Sequence, residues 1–237
     1  MRAVVTGAAS GIGAALCREL AREGADVIGV DKHDCDVTDA AAVERLAEAR
    51  WPIDVWINNA GIAVGGAAED LAVVDWERVL AVNLTGVVHG VCAVYPRMVR
   101  RGAGQIVNIA SVAGLAPYPL ALPYTTSKHA VVGLSLALRA EARRHNVRVS
   151  VACPGAIATP IWERSEIRGA LAERRGRFAQ LPKLDAGACA REIVRGMKAD
   201  RAVIPVTAEA HVAWRLARWA PGATGWLARR LANAARR

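Results

Sequence analysis

Tyr124 and Lys128 stand four positions apart in the chain, a spacing that puts both side chains on one face of a helix. A phenol alone is too weak an acid to trade protons near neutrality, and an adjacent ammonium favours the phenolate and lowers its pKa. The pair therefore reads as a general acid/base, although amphipathic surface helices carry the same spacing for no chemical purpose. Pro123 suits the first turn of a helix, so Tyr124 is expected near a helix start, at the mouth of a crevice.

A second centre is the run Thr6-Gly7-Ala8-Ala9-Ser10-Gly11-Ile12-Gly13. A glycine-rich turn between strand and helix brings backbone N–H groups close to a pyrophosphate at the positive end of the helix. The spacing is GxxxGxG, not the general GxGxxG dinucleotide fingerprint, and by itself it fits a tight turn equally well. Asp31 follows at about the distance where a carboxylate accepts hydrogen bonds from the adenosine ribose hydroxyls. The five cysteines, Cys17, Cys35, Cys92, Cys153 and Cys189, form no CxxC pair and no metal-ligand spacing, so they read as reduced core fillers with no metal expected. Cys153 beside Pro154 has no histidine in reach of the same strand end, which argues against a nucleophile.

These residues need a frame. Short β-rich runs at residues 3–6, 25–31, 53–57, 105–110, 147–152 and 202–206 alternate with longer helical stretches. That alternation predicts a Rossmann-like, doubly wound parallel sheet in a three-layer α/β/α sandwich. Near-continuous apolar strands such as Val149-Ser150-Val151-Ala152 suit burial on both faces. Ligands bind such sheets beyond the carboxyl ends of the strands. The glycine turn, Asp31, Asn58-Asn59-Ala60-Gly61, Ser111 and Cys153-Pro154-Gly155 each follow a strand, so five strand ends converge on one crevice.

At 237 residues the chain suits one core. We divide it into a catalytic domain at 1–206 and a basic amphipathic helical extension at 207–237. Hydrophobic residues make up 53%, yet no uninterrupted apolar run reaches the roughly 18 to 20 residues of a membrane span. With no leader pattern visible, the expected location is cytoplasmic, with peripheral membrane contact through the tail as an option. Of the net charge of +9, much sits in that extension, where six arginines face one glutamate. Trp214, Ala217 and Ala220, and beside them Val212, Leu216 and Trp219, recur there at helical spacing, Pro221-Gly222 breaks the helix, and Trp226, Leu227 and Leu231 follow among arginines. Such helices pack on their own core or on a partner subunit, cover a substrate entrance, or lie on an anionic membrane. Nucleic-acid binding is not expected, because neither a stacking sheet nor a reading helix is present.

Taken in order, Thr6-Gly7-x-x-x-Gly11-x-Gly13, Asn58-Asn59-Ala60-Gly61, Asn83, Ser111, Tyr124-x-x-x-Lys128, and Pro154-Gly155 with Thr159 resemble the motif set of the short-chain dehydrogenase/reductase family. The resemblance runs from residue 3 to about residue 159, with a weaker continuation to 206. It implies reversible hydride transfer between a nicotinamide cofactor and a secondary alcohol or ketone, and a homo-oligomer. By the same resemblance, Tyr124 exchanges the proton at the substrate oxygen and Ser111 holds that oxygen. Lys128 binds the nicotinamide ribose and biases Tyr124, and Asn83 positions a water of the proton relay. An asparagine in a helix also bonds its own backbone at a kink, and the two roles are compatible. The implied cofactor contacts are Gly7, Ser10, Gly11, Ile12 and Gly13 in the turn, Asp31 at the ribose, Asp36 and Val37 at the adenine, Asn59, Ala60 and Gly61 at the sheet centre, Tyr124 and Lys128, and Pro154, Gly155, Ile157 and Thr159 at the nicotinamide. Asn58 is expected to be structural.

NAD is expected in preference to NADP, because Asp31 would repel a 2′-phosphate and Ser10 carries no positive charge. Lys32 and His33 weigh the other way. The apolar run at 112–122, together with Ile161, Trp162, Phe178 and Leu181, suits a steroid-like or lipid-like alcohol, or else simply packs. Only four residues separate Asp31 from Asp36, where most family members fit a helix and a further strand, so the adenine wall must be built differently. The glycine-rich final strand region common in the family is also missing. The rival reading is a non-catalytic NAD(H)-binding scaffold or redox sensor on the same fold.

Overall fold

The computed structural model describes residues 1–174 and 183–236. In chain order its strands are β1 (Arg2–Thr6), β2 (Asp26–Val30), β3 (Val55–Asn58), β4 (Val64–Gly65), β5 (Gly104–Ile109), β6 (Val147–Cys153), β7 (Glu166–Ile167) and β8 (Val203–Pro205). Its helices are α1 (Gly11–Arg22), α2 (Ala40–Ala49), α3 (Val73–Leu80), α4 (Gly86–Arg101), α5 (Leu122–Ala142), α6 (Ile161–Arg164), α7 (Ala186–Lys198), α8 (Ala208–Trp219) and α9 (Pro221–Arg236). Six strands form one parallel sheet in the order β2-β1-β3-β5-β6-β8, and β4 pairs with β7 in a separate two-stranded sheet.

Alternate residues of each strand point to opposite faces. Val5, Ile57 and Val107 therefore meet Leu16 and Leu20 of α1 and Ile193 and Met197 of α7. Their neighbours Val4, Trp56 and Ile106 meet Val43 of α2 and Val94 and Met98 of α4 on the other side. This is the three-layer arrangement expected from the strand–helix alternation. The six strand runs read from the sequence all form, with ends shifted by a residue or two.

The short link after β2 leaves β2 at the sheet edge. Asp31 opens a tight turn there, its carbonyl accepting from the N–H groups of Asp34 at 2.9 Å and Cys35 at 2.8 Å. Asp39 then caps α2 by accepting from Ala41 and Ala42. The chain thus passes from β2 to α2 without room for another strand.

Between α3 and α4 the chain makes a π-helical turn, Ala81–Thr85, of the kind often found at functional positions. Within the continuous stretch Val73–Arg101, an 18-residue part with mean hydropathy 1.5 is long and apolar enough to cross a membrane. Its Ala93, Val94 and Met98 are buried against the sheet, as in the core helix of an α/β domain. The extension begins within the packed structure. Thr207 caps α8 by accepting from the N–H of Ala210, and Ala210 is fully buried. Pro221 opens α9, so the break foreseen at Pro221-Gly222 is also a helix start.

Candidate active site

The turn between β1 and α1 is tied down from the neighbouring strand end. The Asn59 amide donates to the carbonyls of Thr6 at 2.9 Å and Gly7 at 3.0 Å, while the Thr6 hydroxyl accepts from the N–H groups of Asn59 and Ala60. Gly7 has φ +64°, and a Cβ on it would lie 2.7 Å from the Ala60 Cα. A Cβ on Gly13 would lie 2.1 Å from the Gly7 carbonyl oxygen. Glycine is required at both places, and the resulting tight turn leaves the first N–H groups of α1 facing outward. Ser10, at the N-cap, makes no side-chain cap bond, and the first turn carries no acidic residue. These features fit a bound pyrophosphate.

Asp31 accepts from the Ala9 N–H at 2.9 Å and from the Lys32 N–H at 2.8 Å. Its carboxylate thus lies against the glycine turn, beside a cleft of about 470 Å³ that also touches Ala8, Gly29 and Asp34. Asp36 accepts from the backbone and hydroxyl of Thr38, which holds its carboxyl below the usual range. Val37 is buried against Gly86, and its carbonyl bonds His89 Nδ1 at 2.9 Å. Asn58 is consumed inside the sheet: its Oδ1 accepts from Trp56 Nε1 and its Nδ2 donates to Asn108 Oδ1.

At the ends of β5 and β6 the reacting groups meet. Tyr124 sits on the first turn of α5, 8% exposed, with its hydroxyl hydrogen-bonded to Ser111. Ser111 also accepts from the Ala113 N–H at 3.1 Å, which fixes its rotamer. Lys128 lies 5.5 Å from the Tyr124 ring centroid and donates to the Ile109 carbonyl at 2.9 Å. Ala63, Ala113, Ala121, Tyr118 and Ile161 pack around Tyr124 as an apolar collar. The side chains foreseen at Phe178 and Leu181 fall outside the described residues.

The pKa argument made from spacing alone is corrected by this geometry. Burial pushes Tyr124 up to about 12, partly countered by its hydrogen bond to Ser111, and burial pushes Lys128 down to about 8. Desolvation disfavours both charged forms, which favours Tyr124 as the phenol, the proton-donating form. Cys153 behind them is fully buried and pushed up to about 12, again by burial, which suits a core thiol.

Asn83 is fully buried in the π-helical turn. It accepts from the Ile62 N–H at 2.8 Å and donates to the Ile62 carbonyl and to Ser127 Oγ. Its amide bonds across to other elements rather than to its own helix. The position a Cβ on Gly61 would occupy lies 3.4 Å from Asn83 Oδ1 and 3.6 Å from Lys128 Nζ. Glycine there leaves a gap about one atom wide between the two side chains.

The segment after β6 completes the crevice. Ile157 is buried in the core and its backbone bridges to that of Leu184, while Thr159 packs over Gly11. Two contacts here escaped sequence reasoning. Glu209 of α8 accepts from the Ala156 N–H at 3.0 Å, and Gly155 is tight against the same carboxylate. Arg164 of α6 donates to Ser10 Oγ at 3.1 Å, bringing a positive charge to a position where the sequence shows none. Both join residues far apart in the chain, and no local pattern marks them.

The fold and this constellation define a dinucleotide-binding oxidoreductase. A family model described as short chain dehydrogenase matches residues 1–42 and 33–168. A putative ketoacyl reductase from Streptomyces coelicolor is 38% identical over 67% of this chain and 71% of its own. Among solved structures, a short-chain dehydrogenase/reductase from Burkholderia phymatum in complex with NAD is 30% identical, covers 92% of both chains and superposes with a TM-score of 0.78. A short-chain dehydrogenase from Sphingobium yanoikuyae in complex with NADPH is 28% identical, covers 95% of this chain and 94% of that one, and gives 0.77. The chain belongs to the short-chain dehydrogenase/reductase family.

Proposed function

We propose that the protein interconverts an apolar secondary alcohol and its ketone with NAD(H) as the favoured cofactor. The observation that carries this reading is the buried Tyr124 hydroxyl bonded to Ser111, with Lys128 beside it at the strand ends that flank the glycine turn. The nicotinamide supplies the hydride acceptor or donor when bound.

The chain's own residues supply orientation and the proton. In the reductive direction Ser111 and Tyr124 hold the carbonyl oxygen, and Tyr124 donates its proton as that oxygen gains charge. Lys128 then stabilises the phenolate at close range. The gap beside Gly61 lets a water link Lys128 to Asn83 and return the proton. Burial of Tyr124 favours donation, so reduction is supported through neutral pH and oxidation gains as pH rises.

For the cofactor, Gly7, Ser10, Gly11, Ile12 and Gly13 would hold the pyrophosphate, Asp31 the adenosine ribose, Asp36 and Val37 the adenine, and Asn59, Ala60 and Gly61 the sheet-centre side. Pro154, Gly155, Ile157 and Thr159 would hold the nicotinamide end. The Asp31 carboxylate against the glycine turn supports NAD, since a 2′-phosphate would meet a negative charge. The collar of Ala63, Ala113, Ala121, Tyr118 and Ile161 supports an apolar substrate. Self-association is supported by α3, which leaves Val73 73% and Val74 53% exposed in one chain.

A second reading concerns the extension. Trp219 is 86% exposed and Trp226 53%, with Leu227 and Leu231 also exposed. Arg218 and Arg230 lie over Trp214 and Trp226. Tryptophan and arginine together suit the interface of an anionic membrane, where α8 and α9 would help deliver a lipophilic substrate.

The test is steady-state turnover of hydroxysteroids, aliphatic secondary alcohols, polyols and their ketones with NAD(H) and NADP(H). The highest kcat/KM is expected for an apolar pair with NAD(H). Best activity on small polyols, or equal efficiency with both cofactors, would overturn the corresponding half of the proposal, and NADH binding without any turnover would favour the scaffold.

A further inference from the structure

The segment from Thr159 to Gly169 is a strap held at both ends. At one end Thr159 and Pro160 cover Gly11, and Arg164 donates to Ser10. At the other, β7 pairs in parallel with β4, and the Arg168 N–H donates to the Gly65 carbonyl at 2.8 Å. The Arg168 guanidinium grips the buried Asp75 carboxylate of α3 at 2.7 Å, and Glu166 accepts from Arg78 at 2.7 Å. The charges of Arg78, Arg168, Glu166 and Asp75 are thus matched within the latch. Arg164 differs, since it makes no ion pair among the described residues.

We infer that Arg164 is a binding residue for the cofactor's pyrophosphate, delivered by the strap to the positive end of α1. Three observations converge. Ser10 leaves its cap position unused and takes Arg164 instead. The first turn of α1 has no acidic side chain to neutralise its N-terminal partial charge, so a cation held there favours an anion joining it. The latch fixes the far end of the strap, which reduces the entropy Arg164 loses when it engages. A guanidinium can meet two phosphate oxygens at once, giving the charge-assisted bidentate bonds that recur in phosphate recognition. Arg164 stands on the Ser10 and Thr159 side of the turn, whereas Asp31 is bonded to Ala9, so we assign it to the bridging phosphates rather than to a 2′-phosphate.

The inference rests on the cofactor reading above, and one experiment separates the two. Dissociation constants of NADH, NADPH and ADP-ribose are measured by calorimetry for the intact protein, Arg164→Gln and Arg164→Lys. Removing a solvent-accessible charged hydrogen bond should weaken all three ligands about tenfold in Arg164→Gln, with partial recovery in Arg164→Lys. The melting temperature should not move, because Arg164 is exposed. Unchanged affinities overturn the inference, and so does weakening confined to NADPH, which would place Arg164 at the 2′-phosphate. Failure of the unmodified protein to bind NADH would sink the cofactor reading itself.

Discussion

Replacing Tyr124 by Phe removes one oxygen from a site where everything else can stay in place. The ring keeps its packing against Ala63, Ala113 and Ala121, and Ser111 keeps its bond from the Ala113 N–H. The folded protein loses one neutral hydrogen bond, worth about 1 kcal/mol, a fall of roughly 2 to 4 °C in melting temperature for a domain this size. The loss in rate should be far larger. General acid catalysis contributes about 10²- to 10⁴-fold, or roughly 3 to 5 kcal/mol of barrier. Tyr124 is pushed up to about 12 by burial, so at neutral pH the donor keeps its proton. Turnover of a ketone with NADH, NADH affinity and thermal melting are measured on both proteins. Turnover should collapse while affinity and melting temperature stay close to those of the unmodified chain, because Lys128 and the glycine turn are untouched. Ultraviolet titration without added cofactor adds an independent reading, since the difference between the two proteins isolates one of only three tyrosines. Its phenolate should emerge only above about pH 10. A variant keeping a third of the turnover, or a Tyr124 phenolate already present at pH 8, would refute the reasoning.

Gly13→Ala should weaken NADH at least tenfold and destabilise the domain by about 1 to 3 kcal/mol, because its Cβ would lie 2.1 Å from the Gly7 carbonyl oxygen and 2.5 Å from Asn59 Nδ2. Calorimetry and denaturant unfolding check both halves, and native affinity in the variant would show that the turn has room to spare. For the extension, a chain ending at Ala220 keeps the buried Ala210 and the Glu209 contact while removing exposed Trp226, Leu227 and Leu231. Cosedimentation with phosphatidylglycerol vesicles should fall sharply on that truncation, and equal partition of the two chains would leave packing as the role of α9.

Much of the molecule was legible because its signals are local. Strand runs bounded by glycine and helical periodicity gave the sheet, since a parallel strand buried on both faces must be apolar along its length. Gly7, Gly11 and Gly13 were legible as a set, for a turn this tight excludes other residues, whereas the Asn59 amide that ties the turn down was found only in the fold. The four residues between Asp31 and Asp36 already implied a missing strand, as chain length alone forbids one.

What the sequence could not carry depends on burial and on distant partners. From spacing, Lys128 should lower the Tyr124 pKa; in the fold both are desolvated, and burial raises the tyrosine and lowers the lysine. Ser10 looked like a position without charge until the strap brought Arg164 onto it from 154 residues away. Glu209, in a segment set apart as an extension, turned out to hold Ala156 beside the site. The sequence by itself determined which chemistry was available and at which strand ends it would stand, because residue type and backbone period are local properties. Only the tertiary structure decided the burial of Tyr124, the charge over the glycine turn and the reach of the tail into the core, because each is set by groups that the chain brings together only when it folds.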